Sequence, residues 1–199
     1  MKVFKFGGAS VKDAAGVKNL SSIVHQQHGQ LIVVVSAMGK TTNLLETLCN
    51  AYFHQDPKTT AIMKELKNFH LDIVNTLFPL NDTIHKHLEE LFTSLENILA
   101  SESSLCYDYE YDRIICFGEL ISTTIISDYL KMKGIENQFI DIRKFLKTDQ
   151  NYRNANIDLE LSEQLCKDAF DFNTSSVFVT QGFIAGTRTN QTTTLGREG

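Results

Sequence analysis

Met1-Lys2-Val3-Phe4-Lys5-Phe6-Gly7-Gly8-Ala9-Ser10 decides how the rest of the chain is read. Val3, Phe4 and Phe6 are β-branched or aromatic and predict a strand. Gly7-Gly8 ends it with two residues that reach backbone angles closed to others. Val11, Ala14, Ala15, Val17 and Leu20 then follow a helical spacing, and Ser10 stands where an N-cap belongs. Strand, glycine turn and helix start together aim backbone N–H groups and a positive dipole end at one point. Lys5 alternates in side with Phe4 and Phe6, and in a buried first strand an ammonium on that side needs an anion. This is how a phosphate site is built.

Working outward, the first helix is expected to reach His28, with Gly29 closing it. Leu31-Ile32-Val33-Val34-Val35 is apolar without alternation, which predicts a strand buried on both faces of a parallel sheet. From Thr42 to about Ser104 the pattern is helical almost throughout. Leu44, Leu45, Leu48 and Tyr52 form one stripe; Asp56-Pro57 breaks it, with Pro in a first helical turn. Ile62, Leu66, Phe69 and Ile73 form a second, and a third begins at Pro79 and Asn81-Asp82. A helix over 112–132 ended by Gly134, a strand over 138–142, a helix over 157–170 and a strand over 176–180 follow. The tail from Thr192 reads as polar chain without a closing element. Strands alternating with helices mean α/β with a largely parallel sheet, and such sheets place ligands at the carboxyl ends of their strands.

Bulk properties narrow the function. The 199 residues carry 42% hydrophobic and 22% charged side chains, ordinary for a globular domain. A formal net charge of −5 disfavours a nucleic-acid-binding surface. No apolar run approaches a membrane span, and the N-terminus enters a strand without a signal pattern, so a cytoplasmic chain is expected. Cys49, Cys106, Cys116 and Cys166 are far apart and lack a C-x-x-C pair, which predicts reduced thiols. The pairs His25/His28 and His85/His87 have no cysteine at ligand spacing and read as solvated helix faces, so no metal site is expected.

Three further places carry chemistry. Gly39-Lys40-Thr41 after a strand invites comparison with G-x-x-x-x-G-K-[ST], but the first glycine of that pattern falls on Val34 inside the strand. The same turn offers Ser36, Thr41 and Thr42 hydroxyls to a small polar ligand or to helix capping. Glu119 lies in Ile114–Ile126, a helix apolar almost all round, where a carboxylate needs a partner: a Lys or Arg of the protein, or a substrate ammonium. Thr192-Thr193-Thr194-Leu195-Gly196-Arg197 offers hydroxyls and a guanidinium suited to a carboxylate or phosphate, or is a disordered polar terminus.

Lys5-Phe6-Gly7-Gly8-Ala9-Ser10 resembles the K-F-G-G-[TA]-S signature of aspartate kinases. In the same order follow Val35-Ser36-Ala37 with Thr42-Asn43-Leu44-Leu45, Gly118-Glu119-Leu120-Ile121-Ser122, Asp141-Ile142-Arg143, Thr180-Gln181-Gly182-Phe183-Ile184 and Thr192–Arg197. The resemblance spans the whole chain. It implies a three-layer α/β sandwich of the amino-acid kinase type with a mostly parallel central sheet and a helical insertion over about 42–104. It also implies transfer of the ATP γ-phosphoryl group to the β-carboxylate of L-aspartate, the first step towards lysine, threonine and methionine. Lys5 would neutralise the transferring phosphoryl group, and Gly7, Gly8 and Ser10 would cradle phosphate. Ser36 and Thr42 would hold aspartate, Glu119 would pair with its ammonium, and Arg197 would grip a carboxylate. Mg²⁺ is expected on the nucleotide, and a homo-oligomer in the full-length protein. Many members read G-R-G-G-S-D where this chain has Gly196-Arg197-Glu198-Gly199. Their catalytic domain continues into a nucleotide-binding half and regulatory ACT domains, so residues 1–199 are expected to be an amino-terminal lobe with little activity alone. An amino-acid-binding or dimerising module without catalysis, and a degenerate P-loop NTPase, are the other readings.

Overall fold

The computed structural model describes residues 1–78 and 82–196. A four-stranded parallel sheet runs in the order β1 (Lys2–Phe6), β2 (Leu31–Val35), β5 (Val177–Gln181), β3 (Gln138–Ile140). A smaller sheet joins β4 (Lys147–Thr148), β6 (Ile184–Thr187) and β7 (Thr192–Thr194). The helices are α1 (Ala14–His25), α2 (Thr41–Phe53), α3 (Thr59–Leu77), α4 (Asp82–Ala100), α5 (Tyr107–Met132) and α6 (Leu159–Ala169), with a 3₁₀ turn at Ile142–Lys144.

α5 is the axis of the packing. Eighteen of its residues are buried, from Glu110 to Leu130, because its apolar residues cover the whole circumference. It packs beneath β2, β5 and β3 on one side and against α2 and α4 on the other. Gly118 makes the closest of these approaches possible: a Cβ there would come within 2.9 Å of Ala37 Cβ and 3.1 Å of Leu45 Cδ1.

The start of the chain departs from its sequence reading in two ways. Ser10 does not cap α1. Its N–H closes a turn onto the Gly7 carbonyl at 2.9 Å, Val11 is buried, and the helix waits for Asp13, whose carboxylate accepts from Gly16 N–H at 2.8 Å. Nor is β1 a buried strand. It lies at the sheet edge, and Lys2, Val3 and Lys5 are exposed. The desolvation argument for an anion at Lys5 therefore fails for this chain. β2 is likewise fully buried on one face only: Leu31, Val33 and Val35 are buried, Ile32 and Val34 half-buried.

Other boundaries shift by a few residues. α1 ends at His25, and Gly29 follows at φ +86°. The helical stretch resolves into α2, α3 and α4; Pro57 sits in the turn before α3, and Pro79 and Asn81 lie outside the described residues. α5 begins five residues before the predicted Asp112. The 138–142 strand stops at Ile140, where Asp141 caps the 3₁₀ turn by accepting from Arg143 N–H. The tail is neither featureless nor disordered up to Gly196, since 192–194 form β7, antiparallel to β6. All four cysteines are free.

Candidate active site at the carboxyl edge of the sheet

The pairing registers set Phe6, Val35 and Gln181 side by side as the last residues of β1, β2 and β5. Gly7, Ser36 and Gly182 come next in the three chains, so the predicted phosphate turn, the predicted hydroxyl turn and the β5–β6 turn share one edge. This is the edge at which parallel α/β sheets bind ligands.

Close backbone contacts join the first two turns, and the third packs on the Val34 side chain. Ser36 N–H donates to the Phe6 carbonyl at 3.0 Å, and Gly39 N–H to the Gly8 carbonyl at 3.0 Å. Gly8 is required by this contact, because a Cβ would lie 2.5 Å from the Ala37 carbonyl oxygen. Gly7 differs: a Cβ there would meet nothing within 4 Å, so its open side faces solvent. Gly182 approaches Val34 so closely that a Cβ would come within 2.6 Å of Cγ1.

α5 closes the site from below. Glu119 is 3% exposed, and its Oε2 accepts from Gly182 N–H and Phe183 N–H, both at 3.0 Å. Burial pushes its carboxyl from an ordinary 4.5 up to about 7, while the backbone donors of the β5–β6 turn and the charge of Lys5 pull the other way. The partner is thus first a pair of backbone amides, with Lys5 as the nearby cation. Ser122 Oγ donates to the Ser36 carbonyl at 2.9 Å, tying the β2 turn to the same helix face. Thr41 is buried, Thr42 half-buried, and Lys5, Ser10 and Lys40 are exposed.

The tail reaches this edge through Leu195, whose N–H donates to the Phe183 carbonyl at 3.0 Å. Its threonine hydroxyls are consumed inside the protein. Thr192 accepts from Arg143, Thr193 and Thr148 share a bond at 2.7 Å, and Thr194 donates to Asp112 at 2.7 Å. Arg143 is also held bidentately by Asp141. Arg197, the predicted carboxylate grip, lies outside the described residues.

The Ser36–Lys40 turn has five residues between β2 and α2, and Ala37 and Met38 are buried. It cannot wrap a phosphate with its backbone, which removes the P-loop comparison at Gly39-Lys40-Thr41. Among the described residues no three His, Cys, Asp or Glu side chains converge as a metal site, and no helix is long and apolar enough to cross a membrane. The sequence reading passed over His70, which is fully buried beside Thr41. Its signal was present: His70 follows Met63 and Leu66 at helical spacing and precedes Ile73 and Leu77, all on the buried face of α3.

With this geometry in view, the comparisons with known proteins are decisive. The profile of the amino acid kinase family matches residues 1–199. This chain belongs to the amino acid kinase family. Among its relatives is the lysine-sensitive aspartokinase 3 of Escherichia coli strain K12, 28% identical over 200 residues that cover 99% of this chain and 43% of the relative. The bifunctional aspartokinase/homoserine dehydrogenase of Buchnera aphidicola is 29% identical over 210 residues, covering 100% of this chain and 25% of the relative. The crystal structure of E. coli aspartokinase III in complex with aspartate and ADP, its R-state, superposes with a TM-score of 0.88 at 26% identity, over 98% of this chain and 43% of that one. The chain therefore has the amino-acid kinase fold and spans less than half the length of these relatives.

Proposed function

We propose that this chain is the amino-terminal lobe of an aspartate kinase, whose activity is ATP-dependent phosphorylation of the L-aspartate β-carboxylate to 4-phospho-L-aspartate. The observation that carries the reading is the single edge shared by Gly7, Ser36 and Gly182, with Glu119 buried beneath it and Lys5 one residue before the end of β1, its charge acting on the Glu119 carboxyl. Such an edge offers opposite chemistries a short way apart: a cation and open backbone for phosphate, hydroxyls and a carboxylate for an amino acid.

In this reading Lys5 neutralises the transferring phosphoryl group, and Gly7, Gly8 and Ser10 admit phosphate to the backbone. Being exposed at a strand end, Lys5 is free to reach a ligand in solution. Ser36 and Thr42 hold aspartate, Glu119 meets its ammonium, and Arg197 grips a carboxylate. The acceptor is already an anion, so no general base is needed. The barrier falls through alignment and charge neutralisation. Mg²⁺ carried by the nucleotide would supply further charge neutralisation there. The nucleotide-binding half lies outside residues 1–199, the location is cytoplasmic, and the product feeds lysine, threonine and methionine synthesis.

The test is hydroxamate trapping of aspartyl phosphate formed by the whole enzyme that carries residues 1–199. Lys5→Ala should abolish it and Lys40→Ala should leave it nearly intact; the reverse pattern refutes the assignment. Residues 1–199 alone should form little or none.

A further inference from the structure

α3 touches the edge of the site at two consecutive residues. The Phe69 ring lies 3.6 Å from the point where a Cβ on Gly39 would stand. His70, buried completely, sets Nε2 3.4 Å from Thr41 Oγ1. Between them runs the Met38–Thr41 turn. Thr41 closes it twice onto the Met38 carbonyl, by its hydroxyl at 2.6 Å and its N–H at 3.0 Å. Gly39, held at φ +55°, sends its N–H to the Gly8 carbonyl.

The proton inventory of this chain of contacts is unusual. His70 Nδ1 lies 2.8 Å from the Leu66 carbonyl, an acceptor only, so Nδ1 carries the proton. Burial holds the ring neutral by lowering its pKa from 6.5 to about 4, so Nε2 presents a lone pair to Thr41. The Thr41 hydroxyl has one proton and two acceptors, Met38 O and His70 Nε2. At 2.6 Å the Met38 carbonyl is its main acceptor, and His70 Nε2 at 3.4 Å is the second acceptor with which the same O–H is shared. A buried imidazole in a helix face otherwise occupied by Met63, Leu66, Ile73 and Leu77 costs desolvation that an apolar residue would avoid.

We propose that His70 is a positioning residue: through Thr41 it fixes the Met38–Thr41 turn, and through Gly39 N–H that turn fixes Gly8. The helices between β2 and α5 thereby set the shape of the glycine turn at the end of β1. For the consequence in binding, this rests on the phosphate-facing role proposed above for Gly7 and Gly8.

The two are separable by experiment, the first on residues 1–199. Gly39 is exposed, so slow exchange of its amide depends on the bond to Gly8 rather than on burial. By NMR, His70→Phe, His70→Asn and Thr41→Val should speed Gly39 exchange about tenfold relative to the Val33 and Ile121 amides, which report global opening. His70→Gln, which keeps a polar atom near the Nε2 position, and Thr41→Ser, which keeps the hydroxyl, should stay within about twofold of the parent. If Gly39 changes no more than Val33 and Ile121 in all five, or if His70→Gln behaves as His70→Phe does, the positioning role is overturned. ATP titrated into the whole enzyme that carries residues 1–199 should shift the Gly8 and Gly39 resonances, and less so in His70→Phe. If Gly39 exchange responds to the substitutions while ATP moves neither resonance, the positioning role stands and the phosphate reading falls.

Discussion

Asp112 receives both the backbone N–H and the hydroxyl of Thr194, at 3.0 and 2.7 Å, from 82 residues further along the chain. The same carboxylate accepts Arg153 N–H at 2.9 Å. One fully buried side chain of α5 thus fastens the 150s loop and the tail strand together. Asp112→Ala leaves these donors without a partner in a dry place, and should cost about 3 kcal/mol. Urea denaturation would measure the loss, and limited proteolysis should find the chain after Asn190 cut first.

Asp112 and Glu119 also fix how stability depends on pH. Burial lifts Asp112 from 3.8 to about 6 and Glu119 from 4.5 to about 7, against the hydrogen bonds each accepts. Both therefore bind a proton more tightly folded than unfolded. Their contribution is complete below the unfolded values and is lost as pH rises through the folded ones. The denaturation midpoint should fall between about pH 4 and pH 7. Glu119→Gln should flatten the upper part of that fall; an unchanged profile would show that Glu119 is ionised throughout.

Binding should expose the same proton. A substrate ammonium beside Glu119 favours the carboxylate, so aspartate binding near pH 7 should release a proton. Calorimetry in buffers of different ionisation enthalpy reads this directly, and the buffer dependence should vanish in Glu119→Gln.

The glycines separate structure from chemistry. Gly118→Ala forces a Cβ to 2.9 Å from Ala37 and should cost about 1–3 kcal/mol. Gly8→Ala meets the Ala37 carbonyl at 2.5 Å and should also destabilise. Gly7→Ala meets nothing, so its melting temperature should stay close to that of the parent while affinity for ATP falls. Equal affinity in Gly7→Ala would remove Gly7 from the phosphate site.

What could be read in the sequence follows from which forces leave a mark on residue order. The helix apolar almost all round Glu119 and the run Leu31–Val35 both declare burial, although the run does not reveal that one of its faces is only half covered. The K-F-G-G-A-S start and the motifs after it pointed to the family that the comparisons found. Ser10 was misread because a hydroxyl before an apolar spacing looks alike whether or not a turn intervenes, and Asp13 offers the stronger cap three residues later. The first turn of α5 was missed because Tyr107, Asp108, Tyr109, Glu110 and Tyr111 show no stripe. The partners of Glu119 were beyond reach for another reason: backbone N–H groups of Gly182 and Phe183 are the same in every sequence, and only the fold aims them.

The edge position of β1 has a consequence for solubility. Among the described residues no strand pairs with its outer side, which offers N–H and C=O groups to an extended chain, and the exposed Val3 adds an apolar contact. Lys2 and Lys5 stand on that strand as charges a second copy would have to desolvate in order to pair. Lys5 therefore guards the strand against self-association whatever it does for phosphate, and Lys5→Ala should lower the concentration at which the protein aggregates. Lys5→Arg retains that guard, which makes it the variant in which lost chemistry can be told apart from lost protein.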